Sequence, residues 1–203
     1  MDNFSYVIGD ESTKECMIVD PGWEADKLVN AAEGYKIIGI LITHTHYDHI
    51  QELDNAIALT KAAVYVHASG VGEIAKYLPK DYASNGKVKL IKENYKIKIG
   101  KLTVKVMHTP GHNPSCVSFL VENKLITGDT LFVESCGRCD LLGSDVLEQW
   151  ESLQKLKKLD DNIEVYTGHD YGSKQSSTIG YEKKNNPYLK CKSKEEFISD
   201  RMH

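Results

Sequence analysis

The 203-residue sequence holds no apolar run approaching the roughly 20 residues that a membrane-spanning helix needs, which argues against a membrane partner. Residues 1–10 carry acids where a secretory leader would carry an apolar stretch, so a cytoplasmic setting is expected. The five cysteines are an odd number without the spacing of a disulfide framework, which excludes a disulfide-stapled scaffold and fits a reducing compartment. There is no excess of basic charge. With 25 Lys and Arg against 29 Asp and Glu, the net charge of −4 excludes the basic surface of a nucleic-acid binder. Repeats, low-complexity tracts and linkers are also lacking, so residues 1–203 are expected to form one domain. The 41% hydrophobic and 27% charged fractions are ordinary for a soluble globular chain.

What is present is concentrated chemistry. Residues 43–49 read Thr-His-Thr-His-Tyr-Asp-His, three imidazoles and a carboxylate within six positions. His and Asp are poor core residues, so packing does not explain this density. The apolar run 36–42 before it reads as a buried strand, so the cluster lies where a rigid element ends and the chain emerges. In an extended segment His44 and His46 point the same way and can serve one ion. Asp48 and His49 come where a helical pattern begins, so they are expected to project from a turn or first helical turn toward a second ion.

Periodicity gives the surrounding elements. Strands are expected over residues 4–9 and 15–20 as a hairpin, then over 37–43, Ala63–His67, 87–91, 95–99, 102–107, 116–121, 124–127 and 164–166. Glu122-Asn123 reads as a tight hairpin turn. Helices are expected over 23–33, 50–60, 72–78, 145–159 and 195–202, the fourth with Leu147, Trp150, Leu153, Leu156 and Leu159 on one side. Strands followed by a helix in each half suggest two packed sheets with helices outside.

The HxHxDH string resembles the metallo-β-lactamase superfamily, and the resemblance extends over most of the chain. It implies an α/β fold, the αββα sandwich of two mixed β-sheets flanked by helices, with metals at one edge between the sheets. The remaining ligands follow in the family's order: His112 in His-Thr-Pro-Gly-His, Asp129 in Thr-Gly-Asp-Thr, and His169 in Thr-Gly-His-Asp. Each stands next to Gly at a strand end, where backbone can approach closely. The resemblance implies His44, His46 and His112 on a first metal, Asp48, His49 and His169 on a second, and Asp129 bridging. Asp48 and Asp129 are the carboxylates expected to take part in catalysis. Such ligands suit two zinc ions, and also iron or manganese. Zinc lowers the pKa of bound water to about 7. Two dications against two carboxylates and one hydroxide leave a core of about +1, which attracts an anionic or polarised carbonyl substrate.

The leading expectation is a hydrolase resembling glyoxalase II (hydroxyacylglutathione hydrolase), cleaving a small-molecule thioester or related ester with a metal-bound hydroxide. Gly128-Asp129-Thr130-Leu131-Phe132-Val133 and Cys136-Gly137-Arg138 are similar to strings of that family. Arg138, Tyr47 and Cys136 are the expected substrate-binding residues. Three departures stand out. Only residues 170–203 follow His169, too few for the family's glutathione-binding helical region. Asp140 replaces the family's Tyr, and Gln51-Glu52 replaces the Gly-Gly that often follows the string. The alternative is a persulfide dioxygenase, which in this fold uses one iron(II), here on His44, His112 and Asp129. Cys136-Gly137-Arg138 with Asp140, His169-Asp170-Tyr171, and Asn186-Pro187-x-Leu189 followed by Glu195-Glu196-Phe197 are similar to that family. A lactonase ranks below both, and an exported β-lactamase would need a leader. A scaffold that had shed its metals would have shed ligands, and none is missing. His46 stands where the oxygen-reducing diiron branch has an acid. A homodimer is compatible with the chain, but no sequence signature demands it.

Other polar residues have plainer readings. His67 is expected to be a hydrogen-bonded structural residue, and His108 a support for the loop carrying His112. His203 is terminal and expected to be disordered. The C-x-x-C spacing of Cys136 and Cys139 lacks a second cysteine pair and reads as pocket lining rather than a redox pair. Cys16 and Cys116 read as core. Lys155, Lys157 and Lys158 read as a solvated helix face.

Overall fold

A computed structural model describes residues 2–202, so His203 lies outside the described residues. The strands are β1 (Tyr6–Asp10), β2 (Glu15–Val19), β3 (Lys36–Leu41), β4 (Ala63–His67), β5 (Val88–Ile91), β6 (Lys96–Ile99), β7 (Leu102–His108), β8 (Val117–Val121), β9 (Lys124–Gly128), β10 (Leu131–Phe132), β11 (Ser135–Cys136), β12 (Glu164–Thr167) and β13 (Ser176–Thr178). The helices are α1 (Ala25–Ala31), α2 (Tyr47–Ile50), α3 (Leu53–Thr60), α4 (Val71–Ile74), α5 (Val146–Lys157), α6 (Ile179–Asn185), α7 (Pro187–Lys190) and α8 (Lys194–Met202).

Two sheets carry the fold, in the orders β1-β2-β3-β4-β5 and β13-β12-β9-β8-β7-β6, with β10 and β11 as a separate hairpin. Both sheets are mixed. The first pairs β1 antiparallel to β2 and continues parallel through β5. The second is antiparallel from β6 to β9, then adds β12 in parallel and β13 antiparallel.

The period-2 alternation of strands sorts side chains into layers. Met17, Val19 and Leu41 meet Val104, Val106, Val117, Phe119 and Ile126 between the sheets. Their strand neighbours Ile18, Ile40 and Ile42, with Val64 and Val66, face the other way and bury against Leu28 of α1 and Leu53, Ala56 and Ile57 of α3. On the far sheet, Met107, Leu125 and Val165 meet Leu153 and Leu156 of α5, Ile179, Leu189 and Phe197. Helices therefore cover both outer faces, which is the αββα arrangement. Burying a strand on both faces explains why β2 and β3 read as near-continuous apolar runs. Among the described residues, no helix is long and apolar enough to cross a membrane.

The structure corrects several expected elements. The single helix over 50–60 is two pieces, because Glu52 N donates to Pro21 O (3.0 Å) instead of continuing the helical ladder. The pieces 131–132, 135–136, 176–178, 179–185 and 187–190 were not expected; they are short, and mixed polarity hides their period. Leu147 is exposed while Leu153 and Leu156 are buried. Steps of three residues fall short of a turn by about 60° each, so a run of such steps drifts off one face. Lys155 and Lys157 are not merely solvated, since their Nζ atoms donate to His108 O (2.6 Å) and Leu189 O (2.5 Å). The turn at Glu122-Asn123 forms as expected, with Val121 opposite Lys124.

Candidate metal centre

Four strand ends converge on one point. His44 and His46 follow β3, His112 follows β7, Asp129 follows β9, and His169 follows β12. Asp48 and His49 belong to α2, the short helical turn that the chain enters directly after His46. All seven residues read from the sequence as ligands are brought together, and six of them are buried, His46 being half-buried.

Their donor atoms form nests. His44, His46 and His112 offer nitrogens that all lie within 4.8 Å of one another, and so do the donor atoms of Asp48, His49 and His169. Asp129 stands between the two. Its Oδ2 is 3.5 Å from His112 Nε2, 3.9 Å from His44 Nε2 and 3.2 Å from His169 Nε2, while Oδ1 is 3.3 Å from His49 Nε2. His169 Nε2 also lies 3.4 Å from Asp48 Oδ2.

The hydrogen bonds behind the ligands fix which nitrogen faces the nest. Arg138 O can only accept, so His112 Nδ1 donates to it (2.8 Å) and Nε2 keeps its lone pair. Asp20 Oδ2 accepts from His49 Nδ1 (3.0 Å). The Thr43 hydroxyl donates to the same carboxylate, so its oxygen is free to accept from His44 Nδ1 (3.1 Å). Asn3 Nδ2 donates to Asp48 Oδ2 (3.0 Å), and Asn3 is held in turn by Trp23 Nε1 (3.1 Å). His169 stacks on Tyr171, with ring centroids 4.6 Å apart. Partners of this kind orient metal ligands and set their tautomer.

Close backbone approach supports the cluster. A Cβ at Gly168 would sit 2.1 Å from Asp129 Oδ1, and one at Gly22 would sit 1.8 Å from Asp48 O. No side chain larger than hydrogen fits at either position without moving a carboxylate-bearing residue.

Electrostatics agree with a cation site. Burial, then the charge of His49, pushes His44 well below its ordinary value. Burial and His112 push His46 down to about 4, and burial lowers His112. Neutral imidazole is the form that binds metal. Burial works against ionising Asp129, but the charge of His49, with hydrogen bonds from His169 and His49, outweighs it and holds the carboxyl well below its usual range. His49 is the exception: burial depresses it, yet Asp129 and Asp20 raise it well above its ordinary value, so it holds a proton that a cation would have to displace. His44 Nε2, His112 Nε2 and Asp129 Oδ1 are buried without a hydrogen-bond partner among the described residues. Orphaned buried acceptors are costly, and a shared cation satisfies them together. The residues therefore fit a metal pair.

The cluster opens into a cavity of about 700 Å³, a size suited to a small molecule. Tyr47, Cys136 and Arg138, the expected substrate-binding residues, all line it, with Phe132, Leu141 and Tyr171. Arg138 is engaged by Asp140, through Nε (2.7 Å) and Nη2 (2.6 Å). Cys136 and Cys139 are buried thiols, pushed up to about 12 and about 11 by burial, which suits pocket lining and not a reactive pair. His67 and His108 stack at 3.9 Å away from the ligand nests, and His108 Nε2 holds Pro114 O (3.0 Å) on the loop after His112.

Several supporting residues escaped the sequence reading. Asp20 carried a faint signal, an acid directly after the apolar strand β2 and before Pro21-Gly22. Asn3 carried none. Gln149, within α5, accepts from His112 N (3.1 Å) and donates to Thr130 O (2.7 Å), and nothing in a helical pattern marks such a role.

Comparison with known proteins accords with this geometry. A "probable polyketide biosynthesis zinc-dependent hydrolase" of Bacillus velezensis is 30% identical over 202 residues, covering 98% of this chain and 87% of that protein. A hydroxyacylglutathione hydrolase of Psychromonas ingrahamii is 28% identical, covering 94% of this chain and 82% of that protein. The crystal structure of ETHE1 from Myxococcus xanthus superposes with a TM-score of 0.86 at 30% identity, over 100% of this chain and 86% of that one. The metallo-beta-lactamase superfamily profile matches residues 2–169, and the chain belongs to that superfamily.

Proposed function

We propose that this protein is a dinuclear metal-dependent hydrolase that cleaves a small-molecule thioester or related ester, in the manner of glyoxalase II. The observation that carries the reading is the placement of Asp129, whose two oxygens reach ligands of both nests. A carboxylate so placed would be shared by two cations, and the second nest, Asp48, His49 and His169, meets the same 4.8 Å spacing as the first. Zinc, when bound, supplies Lewis-acid polarisation and acidified water; zinc also figures in the name of the Bacillus velezensis relative.

The chain's own residues do the rest. Asp20, Thr43 and the Arg138 carbonyl hold three imidazoles with their lone pairs aimed inward. Asn3 orients Asp48. Phe132, Leu141 and Tyr171 give the cavity apolar walls that exclude water from the acyl portion, while Tyr47 and Arg138 stand where they can orient the rest of the substrate. A thiol is a good leaving group and needs no strong general acid. A small thiol-derived substrate and a cytoplasmic setting complete the reading.

Asp48→Asn tests it. The substitution weakens the second nest and leaves the first intact, so thioester turnover is expected to fall at least tenfold to a hundredfold. Unchanged hydrolysis by this variant contradicts a dinuclear mechanism.

A second reading, a mononuclear-iron persulfide dioxygenase on His44, His112 and Asp129, is favoured by one feature. Two of the three motifs similar to that family form contacts on the cavity wall, the bidentate Arg138–Asp140 pair and the His169–Tyr171 stack. In that case Asp48→Asn perturbs only the surroundings of the iron, and oxygen consumption with a persulfide survives.

A further inference from the structure

Arg201 stands in the last turn of α8, a helix that the sequence offers only as a C-terminal tail. Its side chain nevertheless lines the same cavity as His46, His112, Asp129 and His169. The guanidinium is held in place. Nε donates to Gly137 O (3.0 Å), and the group lies over the Tyr188 ring at 5.5 Å. The helix beneath is anchored by Phe197, which is fully buried and packs on Trp150 and Tyr188.

The guanidinium of Arg201 also reaches the Cys139 thiol and feels the charge of Asp140, but it forms no close ion pair. A guanidinium has five N–H donors, and Gly137 O takes one. Among the described residues no carboxylate oxygen lies within 4.0 Å of it. Arg138, the other arginine on this wall, already has Nε and Nη2 committed to Asp140. Asp200, beside Arg201 in sequence, lies with Oδ2 3.8 Å from the Cys191 thiol. Both arginines also line an adjoining cavity of about 590 Å³, with Asp140, Asp200, Tyr188 and Met202, so the cleft continues past them with both signs of charge on its wall. A planar fork oriented by the Gly137 carbonyl, the Cys139 thiol and one ring, with no carboxylate within ion-pair distance, matches an oxyanion.

We propose that Arg201 is the specificity-determining residue that holds an anionic terminus, carboxylate or phosphate, of the substrate's thiol carrier. The carrier would run from the His/Asp cluster past Arg138 into the adjoining cavity. This assignment rests on the thioester reading above for its substrate, though not for its binding chemistry.

The test is titration calorimetry on the full chain with three non-hydrolysable thioether analogues that differ only at the carrier terminus: carboxylate, phosphate or neutral amide. The expected result is about tenfold tighter binding of one or both anionic analogues than of the amide. The tighter of the two identifies the source of the oxyanion. Arg201→Gln is expected to bring the anionic analogues to the amide's affinity without changing the amide, and Arg201→Lys to restore part of the difference. In turnover, Arg201→Gln raises KM for an anionic thioester about tenfold with kcat within about twofold, a split that a purely structural role does not produce. Equal binding of all three analogues by the unaltered protein overturns the proposal, whether or not the variants fold, and so does an equal loss for all three in Arg201→Gln. Anion preference without thioester turnover overturns the hydrolase reading and leaves Arg201 assigned.

Discussion

Replacing Asp20 by Asn is expected to disarm the second metal nest from behind. The Asp20 carboxylate is buried, with Oδ1 accepting from Thr43 N (2.7 Å) and Oδ2 from the Thr43 hydroxyl and His49 Nδ1 (3.0 Å). An amide of the same shape has one acceptor and one donor group. If its oxygen stays on Thr43 N, its NH2 faces two groups that now donate. The Thr43 hydroxyl can rotate, but His49 must move its proton from Nδ1 to Nε2. That is the atom facing Asp129 Oδ1 and His169 Nε2, so the lone pair meant for a cation is lost. Wrong-tautomer effects of this kind are severe even when geometry is kept. Hydrogen bonds to a charged group exceed neutral ones by about 1 kcal/mol each, so three bonds amount to about 3 kcal/mol, against a total stability of about 5–15 kcal/mol. Metal affinity at the second nest is expected to fall about 10–100-fold. Urea unfolding reads the first figure, chelator competition the second, and nitrogen-detected NMR of His49 the tautomer. A variant with the original tautomer and metal affinity within about twofold of the parent would refute the reasoning.

Gly168→Ala places a Cβ 2.1 Å from Asp129 Oδ1, where ordinary contact needs 3.4 Å, so the Asp129 carboxylate must shift by about 1.3 Å. Metal sites tolerate about 0.2 Å; the variant is expected to hold fewer metals per chain and to lose about 1–3 kcal/mol from overpacking, both checked by elemental analysis and denaturant unfolding. Asp10 gives a pH signature away from the site. The Lys101 backbone N–H and then the Ser12 hydroxyl hold its carboxyl down to about 2, below the 3.8 of the free group. A depressed carboxyl contributes stability above the unfolded value that is lost as pH falls through the folded one. Between pH 4 and 2 the parent is therefore expected to lose its stability advantage over Asp10→Asn, and a pH-independent difference would contradict this.

The residues proposed as metal ligands were legible in the sequence because their chemistry is concentrated and their setting is repeated. A strand, then Gly or a polar turn, then His or Asp recurs at residues 44, 112, 129 and 169, and each time the strand end delivers the side chain to the same edge. The two-layer architecture was partly legible, since apolar runs such as Ile37 to Ile42 imply strands buried on both faces. Strand order was not. The parallel pairing of β9 with β12 joins Leu125 to Val165 across an intervening helix, and local pattern carries no record of it. The groups that orient the ligands were mostly invisible for the same reason. Asn3 meets Asp48 and Gln149 meets His112 only after folding, through hydrogen bonds between residues 45 and 37 positions apart. Arg201 was hidden differently, because a single arginine at the end of a charged helix looks like solvated surface until the helix packs beside the cavity.

The proposed centre has Asp129 shared by two metals, one held by His44, His46 and His112 and the other by Asp48, His49 and His169. Metal content per chain, measured by elemental analysis on protein purified without oxygen or chelators, tests it most directly. Two metal ions per chain are expected, with zinc as the expected metal. One iron per chain, with the second nest empty, would contradict it and promote the dioxygenase reading.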